Sequence, residues 1–239
     1  MRRRKRKIGL LLLIIFGAIL LFSPLFDVRK VKLVETNERN SNFDPSYFEI
    51  DENFFLFNAS KYEKKLLDTG LIDRIEVDKQ FFCDLELKIT WKKPLISVRS
   101  GDSDIILDSR GYVLYISESN RNLDRIDGVI VKSARIGEPV ITENDFMLEN
   151  AVNLYLLILE NKALFANPAL EAKIAIKNNC IVQVLGPEFD INYGDGSDIK
   201  ERFSKALSIY NSLYEKQVTS GTINVSRKNH YVYETWKEE

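Results

Sequence analysis

The sequence predicts an α+β protein that begins with a transmembrane helix. A small domain follows, in which two helices cover a three-stranded sheet, and then a mostly antiparallel β-domain with two helices. Three observations support this fold class. The chain starts with a basic cluster and a long uncharged run. Several later segments alternate apolar with polar residues, as half-buried strands do, and two segments repeat apolar residues at helical spacing.

The transmembrane helix is predicted over residues 8–26, a run of 19 residues without a charged side chain. A helix of this length measures about 28 Å, close to the hydrocarbon thickness of a bilayer. Six Lys and Arg residues at positions 2–7 precede the run, and a basic cluster of this kind stays on the cytoplasmic side. We therefore expect a cytoplasmic basic tail over residues 1–7 and an extracytoplasmic chain from Asp27 onward.

A cleaved secretory signal is the alternative to a permanent anchor. Signal peptides also start with basic residues, and their apolar core of about 7–15 residues is followed by a cleavage site of small residues. The apolar core at residues 8–22 reaches the upper limit of that length, but Leu25 and Phe26 are not small. The preferred interpretation is therefore a span that is retained.

The sequence of residues 28–98 predicts, in order, a strand, two helices and two further strands. The first helix begins at residues 44–46, where Asp accepts amide hydrogens and Pro suits the first turn. The second helix begins with a capping box at Ser60 and Glu63, and Gly70 ends it. Packing two helices on one face of a three-stranded sheet is the natural arrangement. The predicted strands are residues 28–34, 72–77 and 85–91.

An aromatic cluster at Phe54, Phe55 and Phe57 has two interpretations. The rings fill the core of the first domain, which is the simpler account, or they remain partly exposed as part of a groove for a partner.

The second half predicts a mostly antiparallel sheet with two helices. Residues 105–115 read as a hairpin whose turn contains Asp108 and Gly111. Residues 143–164 and 199–213 carry apolar residues at helical spacing. A short polar link is expected between the halves at residues 100–102. The remaining predicted strands are residues 172–177, 181–185, 189–193, 222–225 and 231–235.

Composition argues against nucleic-acid binding and gives no support for catalysis. Six of the 34 basic residues lie before residue 8, which leaves 28 against 35 acidic residues and a net charge of −7 for the exported part. That sign is unsuited to nucleic acid. Cys83 and Cys180 either pair or remain isolated buried thiols. With His230 as the sole histidine, we expect no metal site, no cofactor and no catalytic residues.

Five segments form a recognisable series along the chain: residues 26–33, the aromatic segment 53–57, residues 70–77, Lys92-Lys93-Pro94 and the hairpin 107–113. The order and spacing of these segments and the total length of the chain resemble the FtsQ/DivIB family of bacterial cell-division proteins. Two features depart from the family pattern: Lys92 stands where an acidic residue is usual in the charged-charged-Pro corner, and no Gly follows the first strand. The resemblance implies a POTRA domain over residues 27–99 and a C-terminal β-domain over residues 100–239.

The resemblance also implies a function. Proteins of this family are non-enzymatic, single-pass scaffolds of the cytoplasmic (inner) membrane at the division septum, where they help to control peptidoglycan synthesis. The implied partners are FtsB/DivIC- and FtsL-like bitopic division proteins and the septal peptidoglycan synthase complex. Binding is expected at the open edge of the last strands, where a partner strand adds to the sheet. The matching residues are Arg227, Lys228, Tyr231, Val232, Tyr233, Thr235 and Trp236.

Two other classes of function remain as alternatives. One is a POTRA-containing component of envelope assembly or secretion, although such proteins usually carry a β-barrel or several tandem POTRA units. The other is a membrane-anchored envelope enzyme, which predicts a cleft with convergent polar groups.

Overall fold

A computed structural model describes residues 12–13, 15–17, 19, 23–118, 123–168, 172–186, 189–228 and 230–236. The chain divides into two compact units, Met1–Lys92 and Lys93–Glu239, which we call the first and second units. A three-stranded sheet lies in the first unit, and a nine-stranded, mostly antiparallel sheet lies in the second. The predicted α+β class is therefore confirmed for the part of the chain that is described.

The predicted basic tail and most of the predicted span lie outside the described residues. Of the span, Leu12, Leu13, residues 15–17 and Ile19 are helical, and Pro24–Phe26 form a 3-10 turn. Within the described ranges, no helix has the length and apolar character needed to cross a membrane.

In the first unit, β3 lies between β1 and β2. It runs parallel to β1 and antiparallel to β2. The alternation predicted for β3 is confirmed, because Leu85, Leu87, Ile89 and Trp91 are all buried. The elements are β1 Lys30–Glu35, a 3-10 turn Pro45–Phe48, α1 Ala59–Leu67, β2 Ile72–Lys79, a 3-10 turn Phe81–Cys83 and β3 Asp84–Trp91.

Helix α1 begins two residues earlier than predicted, so the capping box was wrong. Asn58 is the cap, and its Oδ1 accepts a hydrogen bond from the Lys61 amide at 3.0 Å. Asn caps a helix as well as Ser does, which places Ser60 inside the helix. Glu63 instead accepts a hydrogen bond from the Val77 amide at 2.9 Å and thereby ties α1 to β2.

The end of β3 is held by a side chain that acts as a strand partner. Asn37 donates through Nδ2 to the Trp91 carbonyl at 2.9 Å and accepts at Oδ1 from the Trp91 amide at 2.8 Å. The Trp91 ring is buried beside Phe43, with ring centroids 4.9 Å apart. One amide thus satisfies both main-chain groups of a buried residue.

Replacing Asn37 with alanine should destabilise the protein by about 2 kcal/mol, because two buried main-chain groups lose their partner. Chemical unfolding followed by tryptophan fluorescence measures this change. Glu38→Ala, at the exposed neighbouring position, is the control and should shift stability by less than about 0.5 kcal/mol. Equal midpoints for the two variants would contradict the role given to Asn37.

In the second unit, the nine strands lie in the order β14-β13-β12-β11-β10-β7-β4-β5-β6. Three neighbouring pairs are parallel (β12–β13, β7–β10 and β4–β7), and the others are antiparallel. The helices are α2 Asp145–Glu160 and α3 Ile199–Glu215. Two further strands, β8 and β9, pair with each other in a separate two-stranded sheet. The strands are β4 Ile96–Ser100, β5 Ser103–Leu107, β6 Val113–Ser117, β7 Arg125–Asp127, β8 Val131–Ser133, β9 Ile141–Thr142, β10 Ala172–Lys177, β11 Cys180–Leu185, β12 Phe189–Asn192, β13 Gly221–Arg227 and β14 His230–Glu234.

Residues that adopt positive φ form the turns of two hairpins in this sheet, β4–β5 and β10–β11. The sequence predicts residues 100–102 as a polar link. Ser100 instead ends β4 and pairs with Ser103, and Gly101 and Asp102 form the turn of the β4–β5 hairpin, with Gly101 at a φ of 58°. Asn178 and Asn179 both have positive φ, as a two-residue hairpin turn of type I′ requires, which confirms the predicted β10–β11 turn.

The core of the second unit lies between the sheet and helices α2 and α3. Leu148, Val152 and Tyr155 are buried as predicted, whereas Leu159 is exposed because the buried stripe of α2 passes through Ile158 instead. Both cysteines are free thiols: Cys83 is buried and Cys180 is half-buried.

Candidate partner-binding edge

Strand β14 is an end strand of the nine-stranded sheet. Among the described residues it pairs on one side only, with β13. The opposite end strand, β6, is partly covered, because the Val113 amide donates to Glu138 O at 2.9 Å and the Gly137 amide donates to Val113 O at 2.8 Å. An end strand presents main-chain donors and acceptors to an incoming chain, so β14 offers the more open edge.

A crossover connection brings the chain to this edge. Strand β12 continues through α3 into β13, which lies parallel to β12 with Phe189 opposite Gly221 and Asn192 opposite Asn224. The apolar side of α3, which includes the buried Phe203, packs into the core of the unit. The chain then turns at Lys228 and returns as β14.

The terminal hairpin contains an irregularity in its register. Thr222 lies opposite Glu234 and Asn224 lies opposite Val232, but the next pair is Arg227 with His230. Two residues of β13 therefore oppose one residue of β14, which is the pattern of a β-bulge. A bulge bends the strand and increases its twist, so the regular part of the edge is the segment from Val232 to Glu234.

Two tyrosines fasten β14 to the body of the unit. Tyr231 and Tyr233 are half-buried and pack against the core that contains Ile223 and Val225. The Tyr233 hydroxyl also donates to Ser220 O at 2.7 Å. These two predicted site residues therefore lie on the core side of the hairpin and set the position of the edge.

Three other predicted site residues lie within β14 or just after it. Val232 lies opposite Asn224 and is half-buried, and Thr235 is exposed. Trp236 remains 42% exposed, although its Nε1 donates to Thr222 Oγ1 at 2.9 Å. A large ring held in place at the end of an open strand is the type of side chain that anchors protein interfaces.

One member of the basic pair at the hairpin turn, Lys228, already has acidic neighbours. Arg227 and Lys228 are exposed. The Lys228 ammonium lies 3.7 Å from Glu201 Oε2 and 3.9 Å from Asp198 Oδ2. Pairs of such exposed groups contribute at most about 1 kcal/mol. A carboxylate of a partner can therefore compete for Lys228 at little cost.

Gly221 is a site residue that the sequence interpretation missed. Its φ is 152°, and a Cβ at this position would lie 2.5 Å from Glu234 O and 2.5 Å from Tyr233 Cε2. The absence of a side chain thus lets the Tyr233 ring lie against the backbone of β13. The available signal was a glycine at the start of an alternating segment, which often marks a close approach of another chain segment.

A groove of about 460 Å³ in the second unit is lined partly by Arg110, Asp145 and Glu149. Its Asp145 carboxylate accepts hydrogen bonds from the Thr142 amide at 2.6 Å and the Thr142 hydroxyl at 2.8 Å. These bonds hold the pKa of Asp145 below its usual value, and they identify the carboxylate as a structural acceptor at the start of α2.

The described residues contain no cluster of three or more side chains suited to a metal ion.

Comparison with known proteins supports the resemblance seen in the sequence. No protein-family profile matches the chain. The chain is similar to the cell division protein DivIB of Clostridium tetani (strain Massachusetts / E88), with 24% identity over 229 residues. The alignment covers 94% of this chain and 85% of that protein. Since the similarity extends over nearly the whole length, the resemblance of this chain to the FtsQ/DivIB family of bacterial cell-division proteins is confirmed.

Proposed function

We propose that this protein is a non-enzymatic, bitopic membrane scaffold of the bacterial divisome. Residues 8–26 anchor it in the cytoplasmic membrane, and the POTRA domain and β-domain extend from the extracytoplasmic side at the division septum. The open β14 edge carries this proposal, because it is a ready template for another strand. The full-length similarity to a DivIB protein supports the cell-division context.

The proposed mechanism is addition of a partner strand to β14. Main-chain hydrogen bonds along residues 232–234 provide affinity, and Trp236 provides an exposed apolar anchor. Arg227 and Lys228 lie at the end of the hairpin, where they meet acidic side chains of the partner. The proposed partners are FtsB/DivIC- and FtsL-like bitopic proteins. Through them the scaffold contacts the septal peptidoglycan synthase complex.

Depletion of the protein tests the cell-division role directly. We expect undivided filamentous cells and a septal position for a fluorescent fusion of the full chain. A component of envelope assembly or secretion, the second candidate, would instead be distributed around the cell envelope. Normal division after depletion, together with uniform localisation, would rule out the divisome role.

Substitution of Trp236 by alanine should weaken capture of the FtsB/DivIC-like partner by about 30-fold, equivalent to the 2 kcal/mol typical of an anchoring aromatic residue. Binding of the full chain to the immobilised partner measures this loss. Thr222→Val is the matched control, since it removes the hydrogen bond to Trp236 Nε1 but keeps the ring. Equal binding by Trp236→Ala and the wild-type chain would remove Trp236 from the interface.

A further inference from the structure

The first unit exposes an apolar patch at one end of its sheet. We call Leu25, Phe55, Leu56 and Phe81 the juxta-leader patch; their exposed fractions are 69%, 54%, 52% and 81%. Leu25 precedes β1, and Phe81 lies in the turn from β2 to β3. The start of β1 pairs with the start of β3. Single exposed apolar residues are common, but a concentration of large ones marks an interaction surface.

Hydrogen bonds join this patch to the chain that leaves the uncharged run. The Phe54 amide donates to Phe26 O at 2.7 Å, and the Val28 amide donates to Glu52 O at 3.0 Å. The rings of Phe26 and Phe55 lie 5.3 Å apart. The turn that carries Phe55 and Leu56 is therefore fixed to residue 26, where the predicted span ends.

The turn itself is held in shape by its own hydrogen bonds. Asn53 Oδ1 accepts from the Phe55 amide at 3.0 Å. Asn53 O accepts from the Phe57 amide at 2.8 Å, and the buried Phe57 ring holds the end of the turn in the core. Of the cluster discussed from the sequence, Phe57 is thus in the core, while Phe55 is directed outward.

Basic side chains lie at the border of the patch. Lys79 Nζ is 5.0 Å from the centroid of the Phe54 ring and 5.7 Å from that of Phe57, and it donates to Phe54 O at 2.7 Å. Arg29 Nη2 donates to Leu25 O at 3.1 Å. Lys and Arg side chains that cover apolar surface and end in a cation suit the boundary between acyl chains and lipid phosphates.

We propose that the juxta-leader patch inserts into the interfacial layer of the membrane that residues 8–26 enter. Phe55, Leu56 and Phe81 would contact the upper acyl chains, and Lys79 would meet the phosphate groups. The proposal rests on the membrane anchoring in the proposed function. Continuity of the chain identifies the occupant: Leu25 belongs to both the uncharged run and the patch, so a membrane that holds the run lies beside the patch.

Insertion of the patch gives the first unit a defined orientation at the bilayer. A single span alone leaves the following domain free to swing about the connecting residues. A second apolar contact at the interface, where aromatic residues are favoured, restricts that motion. The end of the sheet at which β1 begins would then face the membrane, and the end at Glu35 would face away from it.

The test uses the full chain in liposomes of phosphatidylethanolamine and phosphatidylglycerol whose acyl chains carry bromine, which quenches nearby tryptophan emission. Phe55→Trp places a reporter in the patch. Glu38→Trp is the matched control, because it follows the far end of β1, about 20 Å along the strand. The native Trp91 and Trp236 give the same background in both variants. We expect bromine to remove most of the added emission of Phe55→Trp and none of that of Glu38→Trp.

The outcomes separate the patch from the anchor. If the chain floats with the liposomes but Phe55→Trp is quenched no more than Glu38→Trp, the patch proposal fails while the anchoring stands. A chain that does not float overturns both. Shielding of Phe55→Trp from bromine and from aqueous iodide alike would mean that a protein surface covers the patch, which also overturns insertion. Phe81→Trp, on a separate turn, repeats the test should Phe55→Trp fail to fold.

Discussion

Replacing Gly221 with alanine is expected to weaken capture of the partner at β14 by about 30-fold while the rest of the second unit stays folded. The new Cβ would lie 2.5 Å from the main-chain oxygen of Glu234 and 2.5 Å from a ring carbon of Tyr233. Neither contact can be relieved by rotation of a flexible side chain, so β14 must move away from β13. A strain of about 2 kcal/mol at such a site corresponds to this loss, because only the fraction of molecules with an intact edge can bind.

Gly101→Ala is the matched control for this prediction. Gly101 also has a positive φ, 58°, but a Cβ at this position would meet nothing within 4 Å, and the residue stands in the β4–β5 turn. Its replacement should cost about 1 kcal/mol of stability through backbone strain alone and leave partner capture unchanged. Hydrogen exchange should show faster exchange in β14 for Gly221→Ala only. Wild-type capture by Gly221→Ala would contradict an edge formed by β14.

Local patterns in the sequence were sufficient for elements that depend on their own residues. Apolar and polar residues alternate along β3 because one face of the strand is buried. The β10–β11 turn is indicated by two adjacent asparagines, a residue type that tolerates positive φ. The cap of α1 could not be chosen from local pattern, since Asn58 and Ser60 are both good caps and the choice between them depends on where the chain enters α1.

Long-range pairing could not be predicted in the same way. Strand β7, Arg125–Asp127, lies between β4 and β10 and is parallel to both. A segment of three residues has too short a pattern to reveal a strand, and its partners are distant in sequence. Residues 96–100 likewise form a separate strand after Pro94, because β4 pairs with β5 and β7 in the other unit.

In the candidate site, too, local patterns are predictable from sequence and long-range contacts are not. Alternation places Tyr231 and Tyr233 on one face and Val232 on the other, but it does not tell which face meets the core. The position of β14 at the end of the sheet depends on the order of all nine strands. Gly221 acquires its role only when Tyr233 lies across it, a relationship that neither residue shows alone.

The turn that leads into α3 depends on a buried cation. Arg202 is 8% exposed and donates to Tyr193 O, to Asp195 Oδ1 at 3.2 Å and to Ser197 Oγ at 2.7 Å. Tyr193 is fully buried, and its hydroxyl donates to Gln183 Oε1 at 2.7 Å. Burial raises the pKa of Tyr193, so this hydroxyl remains a donor throughout the physiological range.

Arg202→Leu should therefore destabilise the protein by about 3 kcal/mol, because the buried Tyr193 carbonyl loses this donor and the turn loses two polar contacts. Arg202→Lys should recover only part of the loss, since an ammonium cannot reproduce the fork of the guanidinium. Lys205→Leu, at an exposed position of the same helix, should shift stability by less than about 0.5 kcal/mol in the same chemical unfolding experiment. Because α3 connects β12 to β13, Arg202→Leu should also speed hydrogen exchange in the terminal hairpin. Unfolding midpoints that coincide for Arg202→Leu and Lys205→Leu would show that this turn does not depend on the buried cation.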